Sequence, residues 1–135
     1  MGVSRAYLLD THVVLWLLAE PDTVDPTARA LLADPAHSLV VSAASAMEVA
    51  TKVRLGTLPV EYTALVQAWE QRVRDLRATE LPISAQHAVL AGSLAWDHRD
   101  PFDRFLAAQA IIENVTLVTR DAALTAFPQV ATIPA

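Results

Sequence analysis

The sequence predicts an α/β fold, a mostly parallel β-sheet flanked by helices on both faces, and three observations carry that prediction. Short, near-continuous apolar runs (AYLL at 6–9, HSLVVSA at 37–43, VTLVT at 115–119) have the character of strands buried on both sides. Stretches of helical spacing separate them, the alternation that builds parallel sheets. Prolines punctuate the joints, with no repeat, low-complexity segment or Gly/Ser linker, so residues 1–135 read as one domain.

Each element follows in turn. AYLL stops at Asp10-Thr11, and HVVLWLLAE predicts the first helix. TVDPTARALLAD reads as a capped helix, and HSLVVSA as the second strand, with Val40 and Val41 at its centre. SAMEVATKVRL is helical, with Gly56 placed to end it. One long helix is expected over EYTALVQAWEQRVRDL, because Leu65, Val66, Trp69, Val73 and Leu76 fall in helical spacing. TELPI is a short strand, SAQHAVLAGSLAW and PFDRFLAAQAIIEN are two further helices, VTLVT is a β-branched strand, and ATIP is a weak last one.

Composition narrows the function. Hydrophobic residues make up 53% of the chain, more than the interior of so small a domain absorbs, so a partner or self-association surface is expected. No apolar run approaches the ~20 residues of a membrane helix. Asp10 and His12 interrupt what would be the apolar region of a signal peptide, and Ala6 spoils a myristoylation pattern. The lack of cysteine excludes a thiolate metal site and suits a reducing, cytoplasmic setting.

Fifteen acids against ten Lys and Arg leave a net charge of −5, which argues against gripping nucleic acid by bulk positive charge. A nucleic-acid substrate stays open, because acids that bind divalent cations reverse the local sign. Arg72, Arg74 and Arg77 in QRVRDLR, and Lys52 and Arg54 in TKVRLG, serve either as steering patches or, more simply, as solvated helix faces. Trp16, Trp69 and Trp96 are either base-stacking platforms or, at helical spacing among Leu and Val, core and interface residues.

In open parallel sheets the binding crevice lies beyond the carboxyl ends of the strands. Asp10 follows the first strand directly, and Asp121 follows VTLVT after one residue. Glu48 lies in the first turns of a helix leaving the same edge. In HRDPFDRFLAAQA, Asp100 reads as a cap before Pro101, and Asp103 opens the helix. Each acid has a structural alternative: caps for Asp10 and Asp121, a dipole-facing charge for Asp103, an ion pair with Lys52 for Glu48. Together, four carboxylates at one edge repel one another unless a cation holds them, and hard oxygen ligands suit Mg²⁺ or Mn²⁺ rather than zinc.

LLDTHVVLWLL, VSAASAMEVATKVRLG, HRDPFDRFLAAQA and LVTRD, in that order over residues 8–121, closely resemble the PIN-domain ribonucleases, above all the VapC-type toxins of toxin–antitoxin pairs. The resemblance implies a catalytic and metal-binding set of Asp10, Glu48 and Asp103, with Asp121 as the fourth, more variable carboxylate, and Asp100 left as the cap. It implies Mg²⁺- or Mn²⁺-dependent hydrolysis of RNA phosphodiesters to 5′-phosphate and 3′-hydroxyl ends without a covalent intermediate. Thr11 and Thr119 match hydroxyl positions near the family's site. His12 and His98 flank the acidic motifs, with general-acid or RNA-contact roles open, though structural or surface roles are the simpler reading.

The implied partners are an RNA substrate, a cognate antitoxin that blocks the acidic pocket, and a second copy of the chain in a homodimer. Three other readings compete: a catalytically degenerate PIN-like binding module, an RNA- or DNA-processing nuclease outside a toxin pair, and an aspartate-based phosphatase or dehalogenase. That last class wants a second aspartate where His12 stands.

Overall fold

The structure is a computed structural model that describes residues 5–135, so the first four residues of the expected 1–135 span lie outside the described residues. Among these residues, five strands form one sheet: β1 (Ala6–Leu9), β2 (Ser38–Ser42), β3 (Ala78–Leu81), β4 (Thr116–Thr119) and β5 (Thr132–Pro134). Their order is β3-β2-β1-β4-β5, and all four pairings are parallel. The chain therefore winds outward from β1 to β3, then crosses back to start the other half at β4. The gap between β1 and β4 is the switch point of the sheet, where such folds place their ligands.

Among the described residues, eight α-helices cover the two faces: α1 (Thr11–Ala19), α2 (Pro26–Ala33), α3 (Ala43–Leu55), α4 (Thr63–Gln67), α5 (Trp69–Asp75), α6 (Ala85–Ser93), α7 (Pro101–Glu113) and α8 (Ala122–Ala126). Alternation along the strands divides the core in two. Tyr7, Leu9, Leu39, Val41 and Val118 point into one cluster with Val13 and Val14 of α1, Val49 of α3 and Trp69 of α5. Leu8 and Leu117 point the other way, onto Leu106 and Ala107 of α7 and Leu124 of α8. Both faces being buried explains why the strands read as continuous apolar runs.

Three expectations change in detail. The long helix over residues 61–76 is broken at Ala68, whose φ of −111° and ψ of 25° separate α4 from α5. Alanine favours helix, so no local signal marked the break; packing decided it, with Leu65 buried by one segment and Trp69 and Val73 by the other. β3 starts one residue early, at Ala78, and stops before Pro82, which has no N–H to extend the ladder. The helix expected to run through Trp96 ends at Ser93, because the Arg104 side chain takes up the carbonyls of the segment that follows.

Other ends form as their residues suggest. Gly56 takes φ 76° and closes α3, and Asn114 takes φ 53° to close α7. Among the described residues, no helix is long and apolar enough to cross a membrane.

Candidate metal centre

Asp10 leaves the end of β1 and starts α1. One carboxylate oxygen accepts the Thr11 amide at 2.7 Å, and the other accepts the Thr119 hydroxyl at 2.7 Å. Its own N–H donates to the Val118 carbonyl at 3.0 Å. A single acid thus joins the ends of β1 and β4 across the switch point. The Thr11 hydroxyl lies 2.9 Å from that of Ser45, which ties the start of α1 to α3. Thr11 and Thr119, matched only to hydroxyl positions in the sequence, are the residues that hold Asp10 and its helix in place.

Glu48 lies on α3, in its second turn, and is buried. Lys52 donates to its Oε2 at 2.7 Å, so the structural alternative for Glu48 is realised as a close ion pair. Its Oε1 is buried with no hydrogen-bond partner among the described residues. A carboxylate oxygen left in that state costs free energy unless a ligand meets it. Burial opposes the Lys52 charge, but the Glu48 hydrogen bond and the charges of Glu48, Asp100 and Asp103 outweigh it and raise its pKa.

At the start of α7 the two aspartates separate. Asp100 Oδ1 accepts the Phe102 and Asp103 amides at 2.9 and 3.3 Å, the work of an N-cap. Asp103 caps nothing; its carboxylate turns into the site, 8% exposed, with Oδ2 only 2.6 Å from His98 Nε2. The His98 imidazole, for which a structural or surface role is the simpler reading of the sequence, lies against Asp103 inside the site.

His98 is held there by Arg104 and Trp96. Arg104 donates to the carbonyls of Ala91, Leu94, Trp96 and His98 at 2.8 to 2.9 Å, which fixes the 94–98 segment. Trp96 packs on the His98 ring at 4.9 Å and stacks on Phe127 at 4.4 Å. Trp96 is a wall of the site and Trp69 a buried core residue.

Asp121 follows β4, is exposed, and caps α8 through Oδ1, which accepts the Ala123 and Leu124 amides. It also belongs to a three-residue cluster: one ligand atom each from His98, Asp103 and Asp121 all lie within 4.8 Å of one another. Among the four acids the structure thus brings Asp103 and Asp121 together directly, with His98 as a third member. Asp10 acts electrostatically on Asp103, and Glu48 on Asp10, from the adjoining wall.

The charges strain against this arrangement. Burial, then the charges of Asp100, Asp10 and Asp121, push the Asp103 pKa up to about 6 against the lowering effect of the His98 hydrogen bond. Burial also raises the Asp10 pKa, over the opposing bonds from Thr119 and Thr11. Desolvated, mutually repelling carboxylates plus one imidazole, with an orphaned Glu48 oxygen beside them, form a donor set suited to a divalent cation.

A PIN domain family model matches residues 7–131. Comparison with curated proteins gives no match. Among solved structures, VapBC2 from Rickettsia felis, bound to a DNA fragment from its promoter, is similar over 96% of this chain and 98% of that one, with TM-score 0.70 and 18% identity. DNA-bound VapBC from Salmonella typhimurium gives TM-score 0.69 at 16% identity over 96% and 98% of the two chains. A toxin–antitoxin complex from Klebsiella pneumoniae gives TM-score 0.64 at 21% identity over 93% and 96%. At these identities the likeness is one of fold.

Proposed function

We propose, from the premise that this chain belongs to the PIN-domain family, that it is an Mg²⁺- or Mn²⁺-dependent endoribonuclease acting in the cytoplasm as the toxin of a toxin–antitoxin pair. The observation that carries the reading is the switch-point cluster of Asp103, Asp121 and His98, with Asp10 and Glu48 in the adjoining wall. Asp10, Asp103 and Asp121 would hold the cation, and Glu48 would hold it or orient water. When bound there, a divalent ion supplies Lewis acidity toward a phosphate oxygen and makes water more acidic.

The chain's own residues do the positioning. Thr119 and Thr11 fix both oxygens of Asp10, so the carboxylate meets its ligand in one orientation. His98 donates to Asp103 and favours its ionised form, which offsets part of the burial cost. Lys52 neutralises Glu48 and places a cation at the edge of an acidic crevice that an RNA phosphate must approach.

The solved neighbours support the biological half of the reading: the one from Klebsiella pneumoniae is a toxin–antitoxin complex by name. We assign this chain a cognate antitoxin and a second copy of itself as partners. Exposed Met47, Leu55, Val60 and Val89 are apolar surface that such contacts would cover.

The test is cleavage of total cellular RNA by antitoxin-free protein in Mg²⁺ or Mn²⁺, with new 5′ ends mapped. Discrete cuts that EDTA abolishes and an Asp10→Asn, Asp103→Asn double variant fails to make are expected. Unchanged cutting by the folded double variant sinks the assignment, and so does intact RNA with metal-loaded protein. In cells, expression alone should slow growth, and Asp10→Asn should relieve it.

A further inference from the structure

Against the acids, on the α1 side, lies a cavity of about 260 Å³ lined by Asp10, His12, Val13, Trp16, Arg120 and Asp121. Asp10 and Asp121 join it to the metal centre, while the other four lining residues lie outside the cluster of His98, Asp103 and Asp121. The Arg120 guanidinium sits 4.4 Å from the centroid of the Trp16 ring, a cation–π contact. It is also pinned in place, donating to the Thr23 carbonyl at 2.6 Å and to the Ala135 carbonyl at 2.6 and 3.1 Å. Arg120 nevertheless remains exposed. The His12 ring, exposed at the next turn of α1, is 5.9 Å from that of Trp16 and tilted by 38°.

Three flat groups thus border one space beside the carboxylates, and one of them is an arginine held in place by backbone carbonyls. The guanidinium is thus ordered ahead of any ligand, by Thr23, Ala135 and Trp16, while Arg120 stays exposed. Planar guanidinium, imidazole and indole groups are the partners on which unpaired bases stack. A protein of net charge −5 also needs a grip on RNA that does not depend on bulk positive charge.

We infer that this cavity is a nucleobase subsite, which takes the base of a nucleotide adjoining the phosphate at the acidic centre and stacks it on Arg120 and His12, with Trp16 as backing. The inference rests on the ribonuclease reading and names the part of the RNA the protein holds. Three N–H to carbonyl contacts are already spent on Thr23 and Ala135, so the subsite grips a base by its face more than by its edge.

The test measures binding rather than cleavage. A labelled RNA octamer is titrated by fluorescence anisotropy in Ca²⁺ in place of Mg²⁺ or Mn²⁺, and gel electrophoresis checks that it stays intact. One abasic position is walked along it. In the unaltered protein, one or two adjacent abasic positions should weaken Kd by roughly tenfold. In Trp16→Leu and in His12→Ala that penalty should shrink to about twofold or less, the signature of coupled partners. Trp16 packs partly on the core, so its variant is checked for folding by circular dichroism; exposed His12 gives a second variant without that risk.

An abasic penalty equal in all three proteins, no penalty at any position, or no binding of the octamer each overturns the subsite. The two readings also fail separately. RNA cut normally without the abasic pattern leaves the nuclease and removes the subsite, whereas the abasic pattern with uncut RNA leaves the subsite and removes the nuclease.

Discussion

The helices α2 and α7 open with the same device and end in different chemistry. α2 begins DPTARALLA and α7 begins DPFDRFLAA, each an aspartate cap followed by proline at the first helical position. Asp25 accepts the Thr27 and Ala28 amides at 3.0 and 3.2 Å; Asp100 accepts those of Phe102 and Asp103 at 2.9 and 3.3 Å. Three residues past the cap, α2 buries Ala28 against the core, and α7 buries Asp103 in the site. The next residue is arginine in both. Arg29 pairs with the exposed Asp22, whereas Arg104 binds four backbone carbonyls around His98. α2 therefore acts as an internal control: an Asp-Pro helix start needs no second acid, so Asp103 is there for something other than the helix.

The most decisive way to break the comparison is Asp103→Asn. It should cut RNA cleavage at least about a hundredfold, as loss of a group facing the reacting phosphate does in other enzymes, while far-UV circular dichroism stays unchanged. An active Asp103→Asn would make α7 merely a second α2.

The two arginines should differ next. Arg104→Met strips a charged donor from carbonyls of the 94–98 segment and should cost about 2–4 kcal/mol in urea unfolding. Arg29→Met removes an exposed pair and should stay within about 0.5 kcal/mol. Equal costs would mean that the carbonyl contacts of Arg104 do not organise the segment.

Asp103 also gives the metal-free protein a pH dependence. Its carboxyl titrates near 6 in the folded chain and from an ordinary value of 3.8 when unfolded. Below 3.8 both states are protonated; between there and about 6 the folded state alone keeps the proton, so stability falls as pH rises across that window and levels off above it. The raised pKa of Asp10 adds in the same direction. Asp103→Asn should flatten much of the slope and stabilise the EDTA-treated protein by about 1–3 kcal/mol at pH 7. Saturating Mn²⁺ should raise the melting temperature of the parent and not of the variant. A melting temperature indifferent to metal would remove the cation from the account.

The smallest effect concerns what the helices share. Asp25→Ala and Asp100→Ala should each cost about 1 kcal/mol, as lost N-caps do. A much larger loss at Asp100 would show that its charge, which bears on both Asp103 and Lys52, also serves the site.

Much of this is legible in the sequence. Strand ends are local features, so the emergence of Asp10 and Asp121 from one edge of the sheet could be read from AYLL and VTLVT. The rules of capping read Asp100 as a cap, and the family resemblance set Asp103 apart for the site. His98 and Arg104 were less legible because their partners have no sequence pattern: an imidazole meets a carboxylate one turn into a helix, and a guanidinium meets carbonyls that every residue carries. The break at Ala68 was invisible for a related reason, since packing overrode a residue that favours helix.

The sequence by itself determined which residues are acids, which strand ends carry them, and which aspartate is spent on a helix cap, because these depend on neighbours along the chain. Only the tertiary structure decided that Asp103, Asp121 and His98 share one small volume, that the Arg120 guanidinium sits over the Trp16 ring, and that Asp103 holds its proton to about pH 6. Charge state and ligand geometry arise from burial and Coulomb terms between groups far apart in sequence, and only the closed sheet brings those groups within range.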